Sequence, residues 1–260
     1  MNGRLLALLV TLAMTELSAA LLYAQTSPAD ALSAETFKSE EGQTLNYRLL
    51  VPPKIEEGKK YPLVVFLHGA GERGSDNAAQ MKHGVTDFVR NQSEYPCFLI
   101  APQCPEGKKW VEVNWSAESH DLPKEPGDQM AMVRALIDQM VEEKPIDADR
   151  IYITGLSMGG YGTWDAITRY PDLFAAAAPI CGGGDPQHAK TIKDIPIWCF
   201  HGDQDQAVKV ERSRAMIAAI KEAGGEPKYT EYPGVAHDSW TRTYADDDFF
   251  AWLFAQKRGE

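Results

Sequence analysis

Four short runs of this chain, Leu63-Val64-Val65-Phe66-Leu67, Phe98-Leu99-Ile100-Ala101, Ile151-Tyr152-Ile153-Thr154 and Ile197-Trp198-Cys199-Phe200, are apolar at nearly every position. A strand with one face in water alternates apolar and polar residues. Runs that are apolar on both sides need cover on both faces, as in a parallel sheet flanked by helices. Asn46 to Val51 alternates as a half-buried strand before Pro52-Pro53, and Lys228 to Tyr232 reads as the last strand. Helical segments lie between the strands. In Asp128 to Glu143, the residues Met130, Val133, Ile137, Met140 and Val141 share one face. Val210 to Ala223 and Asp246 to Gln256 are further helices, with Asp246-Asp247-Asp248 at a helix start that favours negative charge. Alternating strand and helix predicts a doubly wound, mostly parallel α/β sheet, whose ligands sit at the carboxyl ends of the strands.

Composition narrows the partners. The chain has 260 residues, 37 acidic against 26 basic, and a formal charge of −11. A nucleic-acid partner is excluded, because that role needs a basic face. Residues 1–24 read as a secretory signal peptide: Arg4, then the apolar run from Leu5, then small residues at Ser18-Ala19-Ala20 and at Ala24. Cleavage after Ala24 is preferred to cleavage after Ala20. Glu16 breaks the apolar run, so the segment is too short for a span of ~20 residues. No stable membrane insertion is expected after cleavage, and the mature protein is expected to be secreted or periplasmic. Residues 25–43 read as a lead-in and 44–260 as one catalytic domain. Cys97, Cys104, Cys181 and Cys199 lack metal-site spacing. Their pairing as disulfides is left open.

The chemistry is concentrated at strand ends. Gly155-Leu156-Ser157-Met158-Gly159-Gly160 follows the strand 151–154 and precedes a helical run, Tyr161 to Arg169. A Ser at such a junction sits on a sharp turn whose neighbours must be glycines, and its hydroxyl is lifted above the sheet. The hydroxyl needs a base within hydrogen-bond reach. Chain order in this arrangement runs Ser, acid, His. Of the histidines after Ser157, only His237 lies in a loop that follows the last strand and precedes the terminal helix. The acid comes from His201-Gly202-Asp203-Gln204-Asp205. Asp205 is preferred because it lies further round the turn; Asp203 suits bonding to local backbone N–H groups. Two donors are needed for an oxyanion. Met158 N–H is one, and Ala70 N–H in Leu67-His68-Gly69-Ala70-Gly71-Glu72-Arg73-Gly74 is the other, with Gly71 as the alternative.

These segments, together with Gly-Val-Ala-His-Asp-Ser-Trp at 234–240, resemble the α/β-hydrolases of the carboxylesterase/phospholipase and dienelactone-hydrolase-like group. Among secreted bacterial members, the resemblance is to the "predicted peptidase" esterases, a set that includes feruloyl and polyhydroxybutyrate-depolymerase-like enzymes. It runs from about residue 44 to the end. It implies an α/β-hydrolase fold with Ser157, Asp205 and His237 as nucleophile, acid and base, and Ala70 as an oxyanion donor. Dienelactone hydrolases proper carry Cys as nucleophile, so their reaction is not implied.

Only 15 residues run from Cys181 to Ile195, which leaves no room for a large cap domain. The expected substrate is a small or polymer-linked ester of short-acyl, feruloyl or polysaccharide-linked type. Trp115 and Trp240 are candidate substrate contacts, each weighed against simple packing. No cofactor and no metal is expected, since no His, Cys and Asp cluster has ligand spacing and the Gly-rich turns lack a phosphate-loop Lys. Two other readings remain: a serine peptidase or acyltransferase on the same three residues, and a non-catalytic carbohydrate-binding hydrolase fold.

Overall fold

A computed structural model of the chain describes residues 27–259. Its eight strands form one sheet in the order β1-β2-β4-β3-β5-β6-β7-β8. They are β1 (Leu32–Lys38), β2 (Thr44–Leu50), β3 (Tyr61–Leu67), β4 (Phe98–Pro102), β5 (Ile146–Leu156), β6 (Ala176–Ile180), β7 (Trp198–Gly202) and β8 (Lys228–Tyr232). The first two strands join antiparallel, to each other and to β4, and the remaining pairs are parallel. This is the α/β-hydrolase fold. The four apolar runs all fall in central strands, and β3, β4 and β7 are buried along their whole length.

Successive residues of a strand face opposite sides, so the central runs feed two separate cores. Leu63, Val65, Phe98, Ile100, Ile151 and Ile153 pack with Met130, Val133, Ile137 and Met140 of α2 (Asp128–Glu143). The same layer takes Trp164 and Ile167 of α3 (Met158–Arg169), Ile192 of α4 (Ala189–Ile192), and Met216 and Ile220 of α5 (Glu211–Glu222). On the other face, Val64, Phe66, Leu99 and Tyr152 meet Phe88 of α1 (Val85–Arg90), Tyr244 of α6 (Trp240–Tyr244), and Phe249, Phe250 and Leu253 of α7 (Asp247–Ala255). The acidic triplet acts as a cap: the Asp246 side chain accepts from the Asp248 N–H at 3.0 Å.

Two features differ from the sequence reading, and a third, the state of the cysteines, was left open by it. The segment read as a lead-in supplies β1, which pairs with β2 from Leu32 to Lys38, so the sheet begins before residue 44. Only Leu32 and Phe37 of it are buried, five residues apart and so on opposite faces of the sheet, which leaves no alternating pattern to read. The helix after Ser157 starts at Met158, three residues before the run read from Tyr161. The glycines at its start lower helix propensity, but close packing requires them there. All four cysteines are free and buried.

Between β6 and β7 the chain makes only a 3-10 turn, Pro186–His188, and the one-turn α4, so no cap domain enters there. The expected signal peptide falls on residues outside those described. Among the described residues no helix is long and apolar enough to cross a membrane.

Candidate active site

Ser157 joins β5 to α3 with φ 54° and ψ −115°. That positive φ costs a non-glycine residue on the order of 1–3 kcal/mol and persists only where the surroundings fix it. Two glycines make the turn possible. A Cβ on Gly155 would lie 2.5 Å from the Gly159 oxygen and 2.7 Å from the Leu67 oxygen, and one on Gly159 would fall on the Leu67 carbonyl oxygen itself. The Ser157 N–H donates to the Ile180 oxygen at 2.9 Å, which ties the turn to the end of β6.

His237 reaches Ser157 from the loop between β8 and α6. Its Nε2 lies 2.9 Å from Ser157 Oγ and its Nδ1 lies 2.7 Å from Asp205 Oδ2. The Asp205 side chain is fully buried, whereas the His237 side chain keeps 28% of its exposure. Asp205 Oδ1 accepts the N–H groups of Ala207 at 2.8 Å and Val208 at 2.9 Å. Its Oδ2 also lies 3.2 Å from His201 Nε2. That nitrogen is 2.9 Å from the Val208 carbonyl oxygen, which only accepts, so His201 Nε2 carries a proton. Burial raises the carboxyl pKa of Asp205, but the bonds from His201, His237 and the Val208 N–H outweigh it and hold the group below the usual carboxylate range. For His237, burial opposes the charged ring, but the hydrogen bond to Asp205, with the Cys181 sulfur close by, outweighs it and raises the imidazole pKa.

Asp203 is placed differently. Its Oδ1 accepts the Gly234 N–H at 2.7 Å and so pins the loop that carries His237. The loop after β3 is braced from below. Cys104 N–H donates to His68 Nε2 at 2.9 Å, which fixes the His68 proton on Nδ1, 2.6 Å from the Gly69 oxygen. Burial pulls the His68 pKa down to about 4, so this ring is a neutral strut. Trp110 Nε1 donates to the His68 oxygen at 3.0 Å, and Arg73 Nε donates to the Ala70 oxygen at 2.8 Å. Ala70 opens the 3-10 turn Ala70–Glu72 and Met158 opens α3. First residues of helical turns have no intrahelical acceptor for their N–H groups.

Ser157 opens into a cavity of about 300 Å³ lined by Ala70, Glu72, His83, His237 and Trp240, among others. Trp240 stands between His237 and His83, with ring centroids 5.2 Å and 5.4 Å away. Trp115 does not line this cavity. It packs with Val111, Val113 and Tyr161, and Lys109 Nζ sits 4.9 Å from its ring, so it anchors the 102–126 stretch to the body. A larger cavity, about 590 Å³, is lined by Asp205 and Arg212 but touches neither Ser157 nor His237.

Cys181 is the residue that sequence reasoning missed. It follows β6 with φ 40°, is fully buried, and its sulfur lies within 4.8 Å of ligand atoms of both Asp205 and His237. The three residues come from three different strand ends, so no spacing along the chain reveals them. Both His237 nitrogens already face Asp205 and Ser157. The cluster therefore reads as a hydrogen-bonded one rather than a set of free ligands.

The pattern of the phospholipase/carboxylesterase family matches residues 53–246, and the chain belongs to that family. It is similar to the solved structure of a thermostable esterase, with TM-score 0.83 and 46% identity over 88% of this chain and 64% of that one. Poly(3-hydroxyalkanoate) depolymerase C of Paucimonas lemoignei is 33% identical over 66% of this chain and 40% of its own length. The bifunctional acetylxylan esterase/xylanase XynS20E of Neocallimastix patriciarum is 35% identical over 70% of this chain and 24% of its own. The chain spans from 25% to 52% of the length of the first curated relatives it matches.

Proposed function

We propose that the protein is a serine carboxylic-ester hydrolase. The observation that carries this reading is the continuous hydrogen-bonded line from Ser157 Oγ to His237 Nε2 and from His237 Nδ1 to Asp205, set on a strained turn above the sheet. Ser157 Oγ attacks the ester carbonyl while His237 takes its proton. Asp205 holds the ring with Nδ1 protonated and stabilises the imidazolium that forms. The Met158 and Ala70 N–H groups receive the oxyanion, each worth on the order of 3 kcal/mol in the transition state. His237 returns the proton to the departing alcohol. Water then repeats the sequence on the acyl-enzyme.

The absence of a cap between β6 and β7 suits an ester that hangs from a bulky or polymeric chain. Relatives named as a poly(3-hydroxyalkanoate) depolymerase and an acetylxylan esterase support short-acyl or polysaccharide-linked esters as substrates. Feruloyl esters belong to the same reading. The N-terminal leader read from the sequence supports a secreted or periplasmic location.

A fluorophosphonate probe is expected to label Ser157 and no other residue, and p-nitrophenyl acetate hydrolysis is expected to disappear in Ser157→Ala. Wild-type turnover by Ser157→Ala refutes the reading.

A further inference from the structure

Glu72 is unexplained by ester chemistry. It lines the cavity at Ser157, and its side chain keeps only 8% of its exposure. Its Oε1 lies 3.6 Å from His83 Nε2, an ion pair only when that ring is protonated and too long for a hydrogen bond, and among the described residues no hydrogen-bond donor reaches either oxygen. The two oxygens are not sealed from the cavity, so a carboxylate with about four acceptor sites is offered to whatever fills it. The position is also adverse for catalysis by itself. Glu72 ends the same 3-10 turn that Ala70 opens, so its negative charge stands near the developing oxyanion. A carboxylate kept there calls for an occupant that brings donors.

The chemistry of the leaving group says which half of the substrate meets it. His237 must return its proton to the alcohol oxygen, so the alcohol half sits against His237. The cavity that His237 borders is the one that Glu72 lines, and its volume of about 300 Å³ suits a single small unit.

We propose that Glu72 is a specificity residue that accepts a hydrogen bond from a hydroxyl on the alcohol half of the ester, so that the favoured substrates are esters of polyols or sugars. Esters of plain alkanols leave the Glu72 oxygens without a donor, and a carboxylate on the alcohol half is repelled. The inference rests on the ester-hydrolase reading.

The test compares kcat/KM for glycerol monoacetate and n-propyl acetate, which match in carbon chain but differ in hydroxyls. The wild type is expected to prefer the glycerol ester about tenfold, the effect of one hydrogen bond to a charged group. In Glu72→Gln the ratio is expected to fall to about two or less. Glu72→Asp, which draws the carboxylate back by one methylene, is expected to lower it as well and serves if the Gln variant does not fold. A wild-type ratio near one, or a ratio that both variants preserve, overturns the proposal. A third substrate, 3-ammoniopropyl acetate, separates hydroxyl from cation. If the wild type prefers it to the glycerol ester and Glu72→Gln removes that preference, the occupant is a cation and the hydroxyl assignment is wrong. Turnover of propyl acetate without discrimination removes only this inference, whereas no Ser157-dependent turnover of any ester removes the hydrolase reading with it.

Discussion

Asp205→Asn is the substitution that the geometry constrains most tightly. The carboxylate receives four donors: the Ala207 and Val208 N–H groups on Oδ1, and His237 Nδ1 and His201 Nε2 on Oδ2. An amide has one accepting end and one donating end. With its NH2 at the Oδ1 position it would face two backbone N–H groups, a double donor conflict. With NH2 at the Oδ2 position it faces the protonated Nε2 of His201 and makes His237 Nδ1 an acceptor. The second orientation loses fewer bonds, so it is the one expected. His237 then carries its proton on Nε2, the nitrogen 2.9 Å from Ser157 Oγ, and has no lone pair for the serine proton. Loss of the correct tautomer costs about 10⁴ in kcat, or roughly 5.5 kcal/mol of barrier. The donor facing His201 adds about 1–3 kcal/mol of destabilisation. Both are measurable, the first as kcat on p-nitrophenyl acetate and the second by urea unfolding. Asp203→Asn is the control, because its amide oxygen still accepts the Gly234 N–H and kcat should stay within about threefold. Retention of more than about a tenth of wild-type kcat by Asp205→Asn, or an equal loss in Asp203→Asn, would refute the reasoning.

The hydrogen bond to Asp205 and the nearby Cys181 sulfur raise the His237 pKa, and the base acts only when neutral, so kcat/KM should rise with pH through a midpoint above the ordinary 6.5. Cys181→Ala removes one of the groups that hold the proton and should move that acid limb to lower pH; an unmoved limb would show that the thiol does not reach the ring electrically. Gly159→Ala places a Cβ on the Leu67 oxygen and should cost about 3 kcal/mol, or roughly 6–12 °C in Tm. A Tm within 2 °C of wild type would contradict the packing argument. Asp246→Ala removes the cap on the Asp248 N–H and should lower stability by about 1 kcal/mol in urea unfolding, with kcat unchanged.

Much of this was legible in the sequence because the physics is local. A run such as Leu63 to Leu67 can only be a strand covered on both faces, and a Ser ringed by glycines after a strand can only be a sharp turn. The order of Ser157, Asp205 and His237 followed from which loops a parallel sheet opens at its carboxyl edge. Of the two candidate acids, Asp205 lies 2.7 Å from His237 Nδ1, while Asp203 Oδ1 accepts the Gly234 N–H. What escaped was non-local. β1 is the exception, a local hairpin with β2 that went unread because only Leu32 and Phe37 are buried and they point to opposite faces. Trp115 stayed open between substrate contact and packing, because the segments it joins, its own and that of Tyr161, lie far apart in the chain. Cys181 hid for the same reason: its importance comes from two neighbours on other strands, not from its own surroundings in the chain.

The two strained residues of the site are held by one device. Ser157 follows β5 with φ 54° and donates its N–H to the Ile180 oxygen; Cys181 follows β6 with φ 40° and donates its N–H to the Phe200 oxygen at 2.8 Å. Each unfavourable backbone is thus clamped by the next parallel strand, one step across the sheet. A loop alone would relax out of either conformation, since each costs on the order of 1–3 kcal/mol. The ladder from β5 to β7 therefore does more than carry the site. It sets how far Ser157 Oγ and the Cys181 thiol project, and so fixes the spacing of hydroxyl and thiol independently of the loop that brings His237. A change in that loop should alter the base alone, whereas a change at the strand ends should move nucleophile and thiol together.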